Sequence, residues 1–250
     1  MMNRHPRVVA ISQARMGSTR LPGKVMKEIC GLPLLEHHLS RVSQSRLVSE
    51  VLVATTTLPT DDAISDWCKR QNIRCFRGDE QDVLSRYTGA ARAANADVVV
   101  RVTSDCPMID PEVIDSIIER YLSGKGKWDY VSNTRTRSYP RGLDAEVFSR
   151  NALEVANDES HDAEEREHVT PFIYWRPERF AIDQLVNAQD LSQYRWTVDT
   201  SEDYQLIQLL IGALYPSNPN YRMRDVLNLL DRHPDWLAIN AHIEQKSLSR

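Results

Sequence analysis

Residues 7–24 read RVVAISQARMGSTRLPGK, a short β-branched run followed at once by a polar loop over residues 13–24. In a doubly wound sheet ligands bind beyond the carboxyl ends of the strands, so a polar, glycine-bearing loop directly after the first strand lies where a nucleotide would sit. Gly17 and Gly23 permit tight backbone turns, and peptide N–H groups freed in such turns can face anionic oxygens. Arg15, Arg20 and Lys24 add three cations within ten positions, and Pro22 stiffens the exit. This is not a Walker A loop: five residues rather than four separate Gly17 from Gly23, and Val25 stands where a Ser or Thr would bind magnesium. By its chemistry alone the loop reads equally well as a phosphate cradle and as a basic surface turn.

Outward from this loop, β-branched runs alternate with amphipathic segments. They fall at residues 7–11, 34–43, 50–55, 61–70, 73–76, 82–94 and 97–102. That rhythm predicts an α/β fold of repeated β-α units, with a largely parallel sheet and helices on both faces. Val98, Val99 and Val100 in succession predict a central strand buried on both sides. Asp61, Asp79 with Asp82, and Asp110 followed by Pro111 signal helix starts.

Past residue 125 the pattern loosens. Strands are expected at 130–133 and 145–148, a helix at 151–155 and a polar stretch over 157–167. The sheet resumes at 180–185 and 195–198, and helices follow near 202–214, 224–231 and 236–245. No linker or repeat interrupts the chain, so residues 1–250 read as one domain in which 125–190 carry acceptor and oligomer contacts.

The 250 residues carry a formal net charge of −4 with both signs interspersed, which excludes the electrostatic footprint of a nucleic-acid or membrane-surface binder. Phosphate binding must then come from local cations. Cys30, Cys68, Cys75 and Cys106 are scattered, without the spacing of a zinc knuckle or redox motif, and fit a reducing cytoplasm. Val8–Val9–Ala10–Ile11 is too short for a signal-peptide core or a membrane span, so a soluble cytoplasmic protein is expected.

Two carboxylates stand where a metal would be useful. Asp105 follows the strand ending in Val102 and Thr103, and Asp199 follows Trp196, Thr197 and Val198 in the same manner. Magnesium takes one or two protein carboxylates and completes its octahedron with water and substrate phosphates, so the pair suffices. Each could instead cap a following helix, although Asp110 and Ser201 are available for that work. Asp203 belongs to the first turn of the next helix.

QARMGSTRLPGK, together with VVVRVTSDCPMIDP, YPRGLDAEVF, EREHVTPFIY and RWTVDTSEDY, resembles the cytidylyltransferases grouped with spore coat polysaccharide biosynthesis protein F. It is more distantly similar to 3-deoxy-manno-octulosonate and acylneuraminate cytidylyltransferases. The likeness runs in order from about residue 7 to about residue 210. It implies a glycosyltransferase-A-like nucleotide-diphospho-sugar transferase fold, transfer of CMP from CTP to a sugar, with a sugar acid as the expected class, release of pyrophosphate, magnesium as cofactor, and a homodimer.

The resemblance makes Asp105 and Asp199 the expected metal ligands. With Arg15 and Lys24 they form the expected catalytic set, and Ala14, Arg15, Gly17, Ser18, Arg20, Lys24, Thr55 and Asp82 the expected nucleotide contacts. Asp82 reads as well as the cap of the helix behind it. Resemblance puts Arg141, Asp144 and His168 at the acceptor, with an Arg141–Asp144 salt bridge as the alternative. Phe172, Tyr174, Trp175 and Phe180 read as core or dimer interface rather than a stacking platform. Two rival functions stand beside this one: another glycosyl- or nucleotidyltransferase of the same architecture, and a noncatalytic nucleotide-binding subunit. A glycosyltransferase of this fold is expected to show Asp-x-Asp, and TSDCP carries one carboxylate.

Overall fold

The structure is a computed structural model that describes residues 5–245. In chain order these residues form β1 (Val8–Gln13), a small hairpin of β2 (Glu28–Ile29) and β3 (Leu32–Pro33), α1 (Leu34–Val42), β4 (Glu50–Thr56), α2 (Asp62–Arg70) and β5 (Arg74–Gly78). Then come α3 (Val83–Ala93), β6 (Val98–Thr103), α4 (Pro111–Ser123), β7 (Tyr130–Ser132), β8 (Glu146–Ser149), α5 (Arg150–Glu159), α6 (Ala163–His168) and α7 (Pro171–Tyr174). The chain closes with β9 (Ile182–Gln184), α8 (Ser201–Leu214) and α9 (Met223–Arg232). Among the described residues no helix is long and apolar enough to cross a membrane.

Seven strands make one sheet in the order β5-β4-β1-β6-β8-β7-β9. β5, β4, β1 and β6 run parallel, as do β7 and β9, while β8 runs antiparallel to both β6 and β7. The sheet is therefore mixed but mostly parallel, as the β-α rhythm predicts. β1 is flanked by β4 and β6, so successive crossovers leave it in opposite directions and open a crevice at its carboxyl end.

Burial on both faces explains why β1 and β6 lack a polar alternation. Val8, Ala10, Val98, Val100 and Val102 face α1, α4, α8 and α9, while Val9, Ile11 and Val99 face α3, α5 and α7. Burying each such Val or Ile fully stabilises the fold by about 1.5–3 kcal/mol. Phe172 and Phe180 are buried in the second of these layers, so they belong to the core.

Local signals place most helix starts. Asp82 caps α3 through Ser85 N–H, and Asp110 caps α4 ahead of Pro111. Thr200, rather than Ser201, caps α8 in a reciprocal box with Asp203. Asp61 does mark the start of α2, at its N-cap position after the 3-10 turn Pro59–Asp61, but its side chain makes no cap hydrogen bond.

Two expected elements are absent. Residues 195–198 form no strand; one parallel bridge joins Arg141 and Arg195, and Val198 N–H donates to the Asp105 carbonyl. The segment is extended but bonds to loops, because β8, β7 and β9 already occupy that side of the sheet. The helix expected over 236–245 shrinks to a 3-10 turn, Pro234–Ala238. The polar stretch 157–167 turns out to hold the end of α5 and most of α6, which Asp162 caps.

Candidate active site

Parallel register brings the two halves of the site together. Gln13 pairs with Thr103 across β1 and β6, so the loop leaving β1 and the turn bearing Asp105 emerge side by side. Ser104 N–H donates to the Gln13 carbonyl at 3.1 Å. Beneath that turn, His38 lies 2.9 Å from the Cys106 carbonyl, and burial lowers its pKa to about 4. His38 is neutral at pH 7, and Nδ1–H is the donor, because a carbonyl can only accept.

The loop folds around one peptide. Met16 C=O accepts from Ser18 N–H at 2.9 Å and Gly23 N–H at 3.0 Å, and Met16 N–H donates to Asp61 Oδ1 at 2.7 Å. Asp61, 1% exposed, takes its second hydrogen bond from the Thr56 hydroxyl, so a buried carboxylate at the end of β4 fixes the loop. Gly23 has φ of 67°, a left-handed turn that glycine adopts without strain, and it starts the 3-10 turn Lys24–Met26.

Lys24 is thereby directed into the cleft. Its Nζ donates to Asp105 Oδ2 at 2.8 Å, Asp199 Oδ1 at 2.9 Å and the Val198 carbonyl at 2.8 Å. The other Asp199 oxygen lies 2.8 Å from Arg195 and 3.2 Å from Arg20. Arg195 in turn grips Asp203, which is fully buried and bonded to Asn240. Three cations and three carboxylates form one network. Burial opposes the Lys24 charge, but Asp105 and Asp199 raise its pKa above the ordinary value; burial likewise opposes the Asp105 charge, yet Lys24 holds that carboxyl down at about 2.

Asp105 and Asp199 thus meet in space, and neither caps a helix. Among the described residues no cluster of three or more His, Cys, Asp and Glu side chains could hold a metal. Two carboxylates and a carbonyl around one cationic position do suit a hard divalent ion that draws its remaining ligands from water and phosphate.

A cleft of about 610 Å³ spreads from this network, lined by Arg15, Gly17, Ser18, Arg20 and Arg86 among others. It opens past Arg141, Asp144 and His168 into a second cavity of about 390 Å³. Among the described residues Arg15 and Arg141 form no ion pair. Asp144 pairs with Arg137, at 2.7 and 3.1 Å, and not with Arg141. The second cavity adds Arg101, which is bonded to Glu146, and Arg135, which stacks on Tyr174 at 4.8 Å. His168 enters this cavity just before Val169, a β-branched residue held at φ of 73° by a tight turn closed from Thr170 N–H to the His168 carbonyl. Burial lowers the His168 pKa.

Three residues expected at the nucleotide do not present their side chains to the cleft. Ala14 N–H continues the ladder to the Ala54 carbonyl, and its side chain is buried. Thr55 is fully buried in β4, and its hydroxyl finds no partner and does not reach the cleft. Asp82 spends one oxygen capping α3 and the other on Arg166 at 2.6 and 2.9 Å. Arg137 and Arg195 carry no site signal in the sequence, and Asp61 reads there only as a helix start. Arg195 lies in an extended segment ahead of α8, so its contacts with Asp199 and Asp203 come from the turn into that helix and have no periodic signature in the sequence.

Comparison with known proteins agrees with this architecture. The cytidylyltransferase family model matches residues 9–217. Spore coat polysaccharide biosynthesis protein SpsF of Bacillus subtilis is 34% identical over 91% of this chain and 95% of its own length. A 3-deoxy-manno-octulosonate cytidylyltransferase of Geobacter metallireducens is 32% identical over 66% of this chain and 69% of its own. The structure of a cytidylyltransferase from Leptospira borgpetersenii superposes with a TM-score of 0.89 at 32% identity, covering 97% of this chain and all (100%) of the other. A mixed sheet of this order, a cation-rich loop after β1 and two carboxylates at its mouth go with that kinship: the chain belongs to the cytidylyltransferase family and is a nucleotidyltransferase of the glycosyltransferase-A-like fold.

Proposed function

We propose that this protein transfers CMP from CTP to an acidic sugar and releases pyrophosphate. The observation that carries the reading is the continuity of the two cavities: a triphosphate-sized cleft with Lys24, Arg20, Arg15, Asp105 and Asp199 at one end runs into a pocket lined by Arg101, Arg135 and Arg141. The acceptor hydroxyl oxygen forms a bond to the α-phosphorus as the bond from that phosphorus to the oxygen it shares with the β-phosphorus breaks; pyrophosphate leaves with that oxygen, and the hydroxyl proton passes to water. Arg15, Arg20 and Lys24 neutralise charge on the departing phosphates, and such positioned charge is the main catalytic resource in phosphoryl and nucleotidyl transfer. Magnesium held by Asp105 and Asp199 supplies further neutralisation at the phosphate oxygens when bound. Arg141, with no carboxylate partner among the described residues, is poised to take the acid group of the acceptor, and Asp144 and His168 line the same passage.

Thermal unfolding tests the base and the nucleotide together. CTP at about 100 times its dissociation constant, with magnesium, is expected to stabilise by about 2.7 kcal/mol, a rise in Tm of about 5–10 °C for a chain of this size. A shift with ATP or UTP and none with CTP overturns the assignment.

Asp61 offers a second test. It is buried and lines neither cavity, but its hydrogen bond to Met16 N–H fixes the loop, and a hydrogen bond to a charged acceptor is worth about 1.5–3 kcal/mol. Asp61→Ala is expected to raise KM for CTP by about tenfold or more with a smaller change in kcat. Asp61→Asn, whose amide oxygen can still accept from Met16, should recover most of the loss. Equal KM values in wild type and Asp61→Ala would remove Asp61 from this role.

A further inference from the structure

We propose that Lys24 is a resident counter-ion that keeps Asp105 and Asp199 closed to divalent cations until the nucleotide arrives, so that metal and triphosphate bind together rather than metal first. The inference rests on the nucleotidyl-transfer reading above and extends it to the order of binding.

An ammonium group has three donors, and all three of Lys24 are filled: by Asp105 Oδ2, Asp199 Oδ1 and the Val198 carbonyl, at 2.8, 2.9 and 2.8 Å. Those oxygens are the ones a divalent ion at this position would need. The Lys24 side chain is 11% exposed, so the contact is shielded from solvent screening. The second Asp199 oxygen is held by Arg195 and Arg20, and the second Asp105 oxygen has the Cys106 thiol at 3.6 Å. Without nucleotide, the carboxylates are already neutralised.

A divalent ion entering alone must expel the ammonium into a cleft where Arg15, Arg20, Arg86 and Arg141 outnumber the carboxylates left to receive it, Asp144, Glu164 and Glu167, and Asp144 already pairs with Arg137. A triphosphate changes that balance. Its oxygens give Lys24 new partners in the same cleft while bringing the metal with them. Lys24 therefore has two stations, the carboxylates in the free protein and the phosphates in the complex. The coupling is reciprocal: if nucleotide tightens metal binding by some factor, metal tightens nucleotide binding by the same factor.

The test is Mn2+ binding to the nucleotide-free protein, read by electron paramagnetic resonance of the free ion or by titration calorimetry. Lys24→Met, which keeps the length of the chain and loses the charge, is expected to bind Mn2+ at least about tenfold more tightly than wild type, or about 1.4 kcal/mol. Lys24→Gln should do the same, so that poor folding of one variant does not end the test. Adding Asp105→Asn to Lys24→Met should abolish the gain. Binding within about threefold across wild type and both Lys24 variants overturns the proposal, as does a gain that survives Asp105→Asn. No nucleotide enters these titrations, so their failure is separate from failure of the CTP reading, which shows as a missing CTP-induced thermal shift.

Discussion

Asp105→Asn is expected to lower CTP-dependent pyrophosphate release by about 10²–10³-fold, the cost typical of removing one positioned charge or donor from a transition state. The side chain keeps its volume and loses its charge. In the folded protein Asp105 shares Lys24 with Asp199, so the substitution leaves a Lys24–Asp199 pair rather than a lone buried ammonium. The remaining network of Lys24, Arg20, Arg195, Asp199 and Asp203 keeps its hydrogen bonds, and the fold should survive. Circular dichroism would then match wild type, and Tm would fall only modestly from the lost Lys24–Asp105 attraction, while the rate collapses. Release at the wild-type rate from a folded Asp105→Asn protein would take Asp105 out of the chemistry.

Gly142→Ala is expected to be the most damaging small substitution for stability, at about 3 kcal/mol or more. Gly142 sits at φ of +105°, where an L side chain is strained, and a Cβ built there would lie 2.6 Å from the Trp196 carbonyl carbon and 2.8 Å from Thr197 N. Those are backbone atoms, so no rotamer change relieves the contact. What must move is the crossing that joins the acceptor cavity to the carboxylates: Arg141 N–H donates to the Tyr194 carbonyl at 2.9 Å, and Trp196 N–H donates to the Arg141 carbonyl at 2.7 Å. Three residues further on stands Asp199. Loss of stability, read as a fall in Tm of about 6 °C or more, should come with loss of activity. Gly212→Ala is the control. Gly212 lies inside α8 with nothing within 4 Å of the added methyl, so alanine there should stabilise by about 0.5–1 kcal/mol. Similar Tm values for the two alanine variants would show that the Gly142 crossing bears no strain.

Both substitutions probe contacts between residues far apart in the chain, and those are the contacts that the sequence disclosed least. What local chemistry decides was legible. The β-α rhythm predicts the parallel part of the sheet, Asp82 and Asp110 start their helices, and Asp203 belongs to the first turn of α8. The loop over residues 13–24 displays its glycines and cations in order, and Asp105 and Asp199 announce themselves by following extended segments.

The failures have a common cause. Thr55 and Ala14 sit at strand ends, where one residue separates a side chain in the cleft from one in the core, and only the finished sheet fixes which way each points. The stretch 195–198 has the composition of a strand, but an edge to pair with is a property of the assembled sheet, and that edge is taken. Asp61 reads as a helix cap because capping is the local use of an aspartate; in the fold it serves a loop 45 residues away.

The sequence by itself determined the layer architecture, the helix starts and the inventory of charges, since these depend on periodicity and on side chains within a turn or two. Tertiary structure alone decided which charges meet. Lys24 reaches Asp105 across 81 residues and Asp199 across 175, and it does so because β6 docks beside β1 and Val198 bonds to the carbonyl of Asp105. Such pairings follow from strand order and chain crossing, and no local pattern encodes them.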